Sequence, residues 1–273
     1  MTPVDEAALA QVIRRARRNK YADVCPALVR RIAERELAIR GRPKDAIKTT
    51  RRKLHQVGAA YWRGTEPSET RYVEWLESLT SAAVRGPASL REACQAIMAS
   101  HASTAERLPL LDTFYQRTLA PIAPVSSVLD LGCGLNPLAA PWMPLAPSAT
   151  YHAYDVYGGL MGFLGQALPH LELEAHVGCE DVLAEPPNAH AELALLLKVL
   201  PLVEQLWGEP GELIMRIRAP HVLVSFPVTS LGGQRRGMRD HYAQGFEKMA
   251  DTQGWAWEAH IFETELAYLV HKS

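Results

Sequence analysis

The sequence predicts an α/β fold, a mostly parallel seven-stranded sheet preceded by an all-helical region, and three observations carry that prediction. From Ser126 onward, short apolar runs alternate with helix-length segments, the spacing of strands joined by crossover helices. The first of these runs, Ser127-Val128-Leu129-Asp130-Leu131, ends in Gly132-Cys133-Gly134, where the backbone can turn tightly and approach a ligand. Before residue 106 the apolar spacing is helical throughout.

Taken in order, Ala8, Val12 and Ile13 recur at helical spacing. Pro26 sits where a first helical turn tolerates proline, Leu28, Val29, Ile32 and Leu37 follow, and Gly41-Arg42-Pro43 breaks the run. Three short helices are expected between Glu6 and Leu54. Glu66-Pro67-Ser68-Glu69 reads as a turn and helix start for a stripe of Trp75, Leu76, Leu79, Ala82 and Ala83; Gly86-Pro87 separates it from Leu90, Ala93, Ile97 and Met98. Ser103 or Thr104 is then expected to cap an amphipathic helix carrying Leu108, Leu110, Leu111, Phe114 and Tyr115. That places Arg107 in a first turn, where the helix dipole disfavours a cation. Either it faces a ligand carboxylate, which its planar fork suits, or it pairs with Glu106 or Asp112. Strands are expected at 127–131, 150–155, 172–177, 193–198, 221–226, 256–262 and 266–271. The last two follow in close succession, so an antiparallel strand is inserted near the end of a parallel sheet. The expected division is a helical domain over 1–105 and a cofactor domain over 106–273.

An apolar share of 48% with 22% charged residues is the balance of a globular protein. No apolar run approaches the roughly 20 residues that span a bilayer, and the first residues lack a hydrophobic signal core, so a cytoplasmic location without membrane contact is expected. Cys25, Cys94, Cys133 and Cys179 are scattered singly; neither a disulfide framework nor a metal site is expected. Charge is strongly segregated: of 29 Lys and Arg and 30 Asp and Glu, residues 1–63 hold 16 and 6, leaving 13 and 24 for the rest. The basic clusters are Arg14, Arg15, Arg17, Arg18 and Lys20, then Arg30 and Arg31, then Lys48, Arg51, Arg52 and Lys53, with Tyr21, His55 and Tyr61 interleaved. Such edges on a helical module suit shape and phosphate recognition of folded RNA, against the alternative of merely solvated helix faces.

In a doubly wound sheet the ligand lies beyond the carboxyl ends of the strands. Those ends hold Asp130, Gly132 to Pro137, Asp155, Glu180-Asp181, Lys198 and Ser225-Phe226-Pro227. Asp155 follows the glycine turn by about 20 residues, the place for an acid that accepts from ribose hydroxyls. Asp181 is either an acceptor for an adenine amino group or a helix cap. A dinucleotide site usually adds a third glycine three residues after Gly-x-Gly, but Leu135-Asn136-Pro137 stands there, which argues against a dehydrogenase and for S-adenosylmethionine, with S-adenosylhomocysteine as product.

His101-x-Ser103-Thr104-x-Glu106-Arg107, Gly134-Leu135-Asn136-Pro137-Leu138-Ala139, Leu195-Leu196-Leu197-Lys198, Ser225-Phe226-Pro227 with Ser230-Leu231-Gly232, Gly237-Met238 with Tyr242 and Phe246-Glu247, and Thr264-Glu265-Leu266-x-Tyr268 together resemble the aminoglycoside-resistance 16S rRNA methyltransferases of the Arm, Rmt and Sgm type. Lys20-Tyr21, Pro26, Val29-Arg30-Arg31 and Lys53-Leu54-His55 through Gly58-Ala59-Ala60-Tyr61 extend the resemblance to nearly the whole chain. Two departures stand out: Glu263 takes the place of a frequent glycine, and the segment after Tyr61 does not align clearly.

The resemblance implies a class I S-adenosylmethionine-dependent methyltransferase that methylates N7 of the guanine at position 1405 of 16S rRNA, in the decoding region of the assembled 30S subunit. It implies a helical N-terminal domain that docks on the rRNA. It also implies that Arg107 holds the methionine carboxylate, Gly132 and Gly134 the cofactor backbone, Asp155 the ribose, and Glu180 with Asp181 the adenine. N7 carries an in-plane lone pair and no proton, so no general base is expected. Lys198, Ser225, Arg235 and Arg236 are the expected positioners of an extruded target base, and the protein is expected to act as a monomer. The rival readings are a methyltransferase of this fold with another substrate, and a non-catalytic 30S-binding or assembly factor with a vestigial pocket.

Overall fold

The computed structural model describes residues 5–64, 66–206, 208–228 and 238–272, with Met238 described in its backbone only. The helical part opens with α1 (Glu6–Ala16), α2 (Pro26–Arg40) and α3 (Pro43–Val57). These are the three helices expected, ended and restarted at the Gly41-Arg42-Pro43 break. Asp5 caps α1 by accepting from the Ala7 N–H, and prolines open α2 and α3, where the missing N–H costs nothing. Ser68 caps α4 (Glu69–Arg85), and α5 (Pro87–Met98) starts at the next proline.

The sheet runs in the order β3-β2-β1-β4-β5-β7-β6. Its strands are β1 (Val125–Leu131), β2 (Leu145–Asp155), β3 (Glu174–Cys179), β4 (Leu193–Leu197), β5 (His221–Pro227), β6 (Ala256–Ile261) and β7 (Glu265–His271). β7 is antiparallel to both of its neighbours, and the five strands from β3 to β5 pair in parallel. β2 starts earlier than its apolar run suggests, and β3 is shifted toward its carboxyl end. β4 is buried along its whole length, as a central strand covered on both faces must be. The chain winds outward from β1 to β3, returns to β4 on the other side of β1, and thus creates a switch point between β1 and β4.

Of three further helices, α8 (Gly158–Ala167) packs on β2 and β3, whereas α6 (Ala102–Arg107) and α7 (Leu111–Thr118) reach the start of β7 and β7 itself. α9 (Leu200–Leu206), α10 (Pro210–Arg216) and α11 (Met238–Gln253) serve the β4–β7 half. One large apolar core joins one face of the sheet to α2, α4 and α5: Trp75 and Leu79 share it with Phe163 and Leu164. A second fills the opposite face, and only Leu9, Val12, Ala33, Leu37 and Ala46 form a small core private to α1, α2 and α3. Thus α4 and α5 are covering layers of the sheet as much as parts of a helical unit. No helix among the described residues is long and apolar enough to cross a membrane.

Candidate active site

The glycine turn after β1 has the geometry its residues allow. Gly132 and Gly134 adopt φ of +68° and +51°, a region costly to any residue with a Cβ. The Gly132 and Cys133 N–H groups donate to the Tyr154 carbonyl at the end of β2, which places the turn beside Asp155. The Gly134 N–H donates to Asp155 Oδ2 at 2.8 Å and the Val156 N–H to Oδ1 at 2.6 Å. Burial raises the Asp155 pKa, and these backbone donors oppose the rise. The half-buried carboxylate faces a cavity at the carboxyl ends of β1, β2 and β4. That is the place of a small-molecule site at a switch point. Val156, Leu160, Val182, Leu183 and Val199 make much of the wall apolar; Tyr61, Trp62 and His101 close one side, and Arg107 and Lys198 bring positive charge.

Behind the cavity lies a buried polar network. Arg107 Nε and Nη2 donate to Glu265 Oε2 and Oε1 at 3.1 and 2.5 Å, and Nη1 donates to Asn136 Oδ1 at 2.9 Å. Asn136 also accepts from Tyr115 Oη and donates through Nδ2 to Asp130, which accepts in addition from Tyr151 Oη. Burial lifts Asp130 to a pKa of about 6 against the pull of those two donors. Burial alone would lower the Arg107 pKa, but the facing Glu265 outweighs it and holds the guanidinium charged; Glu265 is drawn below its usual range by Arg107 and Lys198 in spite of its own burial. Lys198 sits just beyond β4 at φ +62°, a strained conformation for a residue other than glycine, and its Nζ contacts Glu106 Oε2 at 2.6 Å and Glu265 Oε2 at 3.7 Å. His101 stacks on Tyr61 and meets Trp62 edge-on. Burial, with Lys198 and Arg107 nearby, pushes its pKa down to about 4, so the imidazole is neutral at pH 7.

The family profile described as "Ribosomal RNA methyltransferase (FmrO)" matches residues 17–269. The chain belongs to that family. A 16S rRNA (guanine(1405)-N(7))-methyltransferase of Frankia casuarinae is 40% identical over 261 residues, 94% of this chain and 91% of the relative. A protein of the same name from Micromonospora echinospora is 38% identical over 96% of this chain and 95% of its own length. The crystal structure of the 16S rRNA methyltransferase RmtF in complex with S-adenosylhomocysteine superposes with a TM-score of 0.79 at 31% identity, covering 99% of this chain and all of that one. The cofactor of this methyltransferase is S-adenosylmethionine, and the cavity suits it. Asp155 keeps acceptor capacity beyond its two backbone donors, the walls are apolar enough for a purine, and Arg107 and Lys198 are among the lining residues. Among the described residues, His101 Nδ1 and Tyr157 Oη are buried without a hydrogen-bond partner, and both residues line the cavity.

Several expectations need correction. Arg107 is not in a first turn: it ends the six-residue α6, where the dipole favours a cation, and its partner is Glu265 rather than Glu106 or Asp112. Neither Ser103 nor Thr104 is the cap; Thr104 Oγ1 instead donates to the Met98 and His101 carbonyls. Ser225 has no exposed surface and donates to Glu265 Oε1 at 2.5 Å, so it cannot touch a target base. Asp181 is neither a helix cap nor turned into the cavity: its carboxylate is held by Arg31 Nε and Nη2, both at 2.6 Å. Glu180 is exposed, and at this end of the site it is Val182 and Leu183 that line the cavity. Arg235 and Arg236 lie outside the described residues.

The basic residues divide in the same way. Arg14, Arg15, Arg18, Lys20 and Arg52 are exposed. Arg15, Arg18 and Arg51 line one surface cleft with Lys44, while Lys20 and Arg51 lie over the Tyr21 ring at 5.0 and 5.6 Å. Three others make contacts within the chain. Arg31 holds Asp181, Lys53 pairs with the buried Glu36 at 2.9 Å, and Arg17 donates to the Ala22 carbonyl. Arg30 spans Glu6 and Glu34 at the surface. The residues missed as site components, Asn136, Glu265 and His101, had one available signal: each lies in a family-like motif without an assigned role.

Proposed function

We propose that the chain transfers a methyl group from S-adenosylmethionine to N7 of guanine 1405 of 16S rRNA in the assembled 30S subunit, acting in the cytoplasm as a monomer and conferring aminoglycoside resistance. The observation that carries this reading is the cavity at the switch point, with Asp155 gripped between the Gly134 and Val156 N–H groups and a cationic end formed by Arg107 and Lys198. Asp155 accepts from the ribose hydroxyls, Gly132 and Gly134 let the backbone approach the cofactor, Val182 and Leu183 pack on the adenine, and Arg107 meets the methionine carboxylate. When bound, S-adenosylmethionine supplies a methyl group on a positively charged sulfur.

Guanine N7 offers its lone pair without deprotonation, so the protein contributes alignment and exclusion of water rather than a proton acceptor. The neutral His101 and the aromatic rings of Tyr61 and Trp62 shield one side of the cavity. A base stacked in an rRNA helix must be extruded at a cost of a few kcal/mol, which docking contacts offset. Lys198, Arg235 and Arg236 receive that nucleotide in this reading. Arg14, Arg15, Arg18, Lys20, Arg51 and Arg52 supply the phosphate contacts.

The test is to incubate the protein with radiolabelled S-adenosylmethionine and either 30S subunits or naked 16S rRNA and to map the modified base. Labelling of N7 at guanine 1405 in the subunits is the expected result, and labelling at another base, or none, overturns the assignment. Asp155→Ala should leave the fold intact by circular dichroism and remove calorimetric S-adenosylmethionine binding; unchanged affinity would reject the ribose role.

A further inference from the structure

The Thr264-Glu265-Leu266 motif has no part in the reading above, yet Glu265 is a fully buried carboxylate at the centre of the charged network. Each of its contacts comes from a different element. Arg107 from the end of α6 donates twice, Ser225 on β5 donates to Oε1, and Lys198 beyond β4 lies 3.7 Å from Oε2. The neighbouring Thr264 Oγ1 donates to the Glu106 carbonyl, so the start of β7 fastens the last turn of α6 at two successive residues. Glu265 takes Nε and Nη2 of Arg107, and Asn136 takes one hydrogen of Nη1. Three of the five guanidinium hydrogens are thus taken, and one on Nη1 and one on Nη2 are left on a side chain that lines the cavity.

We infer that Glu265 is a positioning residue for cofactor recognition: it fixes the Arg107 guanidinium so that its remaining N–H groups are presented to the methionine carboxylate. The inference rests on the proposed role of Arg107 in holding that carboxylate. Glu265 also balances the charge. Arg107 and Lys198 stand against Glu106 and Glu265, so the four charges cancel and neither cation is left unpaired beside the other. Ser225 acts one step further back, holding Oε1 and so setting the tilt of the carboxylate.

The experiment measures calorimetric affinity for two ligands, S-adenosylhomocysteine, which carries the carboxylate, and 5′-methylthioadenosine, which lacks it. Glu265→Gln should weaken S-adenosylhomocysteine binding by about tenfold or more while changing methylthioadenosine binding by less than about twofold. Arg107→Ala should reduce the same discrimination, and the double variant should lose no more than Arg107→Ala alone, because the two residues act through one contact. A purely structural role for Glu265 would weaken both ligands alike, and that outcome overturns the inference. If Arg107→Ala leaves the discrimination unchanged, the carboxylate role of Arg107 itself fails, and the inference with it. Should Glu265→Gln fail to fold, Ser225→Ala keeps the ion pair and releases only Oε1. It should lower discrimination by about threefold, and an unchanged ratio overturns the inference.

Discussion

His101 shows how a single residue is set by its surroundings. A Cβ added at Gly134 would stand 2.8 Å from its Cε1, so the glycine at φ +51° makes room for the imidazole as well as for the turn. Packed there between aromatic rings and near two cations, the ring keeps a pKa of about 4, below the 6.5 of an unhindered histidine. Between those two values the unfolded chain binds a proton that the folded chain does not, so stability falls as pH drops from 6.5 toward 4, by up to about 3 kcal/mol in all. Urea denaturation of the wild type and of His101→Phe at a series of pH values isolates the effect. The difference in stability between them should change across this window and be flat above pH 7. Parallel profiles throughout would mean that the folded imidazole titrates normally. Asp155 was legible in the sequence because its information is local: a strand end and a fixed spacing from a glycine turn. Glu265 was not, since its partner Arg107 is 158 positions away and nothing near Glu265 announces the pairing.

At the scale of elements, α2 is fastened to the strand ends that bear the cofactor site. The Cys25 N–H donates to the Val156 carbonyl, the Gly158 N–H to the Asp23 carbonyl and the Gly159 N–H to Asp23 Oδ2, while Arg31 on α2 grips Asp181 just before Val182 and Leu183. Helices and strands were readable from periodicity and from Gly and Pro breaks, because those signals act within a few residues. The joints between elements were not, since Arg31 has the same composition-level appearance as Arg30. Only the fold shows that Arg31 meets a carboxylate with 6% of its side chain exposed, whereas the side chain of Arg30 is half exposed. Arg31→Ala should therefore cost about 1–3 kcal/mol, by leaving that carboxylate unpaired, and weaken S-adenosylmethionine binding through the disturbed wall. Arg30→Ala should cost less than about 1 kcal/mol and leave cofactor affinity unchanged. Urea titration and calorimetry on the two single variants decide between this view and one in which both arginines are equivalent surface charges, which would give equal losses.

Across the whole molecule, charge is segregated along the chain, with 16 of 29 Lys and Arg in residues 1–63. The fold then sorts those cations by use. Arg17, Arg31 and Lys53 hold the protein together, and Arg14, Arg15, Arg18, Lys20 and Arg52 remain exposed. Lys44, which the sequence clusters did not include, joins Arg15, Arg18 and Arg51 in one cleft, because α1 and α3 pack side by side. This arrangement makes a specific statement about salt. Each phosphate neutralised releases counterions, so the logarithm of the affinity for 30S subunits falls linearly with the logarithm of salt concentration, with a slope set by the number of contacts. Replacing Arg15 and Arg18 together by Glu should weaken 30S binding at low salt and flatten that slope by about 2, while thermal stability and S-adenosylhomocysteine affinity stay at wild-type values. Those invariants follow because neither side chain lines the cofactor cavity. Co-sedimentation with 30S subunits over a series of salt concentrations measures the slope. A slope equal to that of the wild type would remove this cleft from the docking surface and move rRNA recognition to another face of the protein.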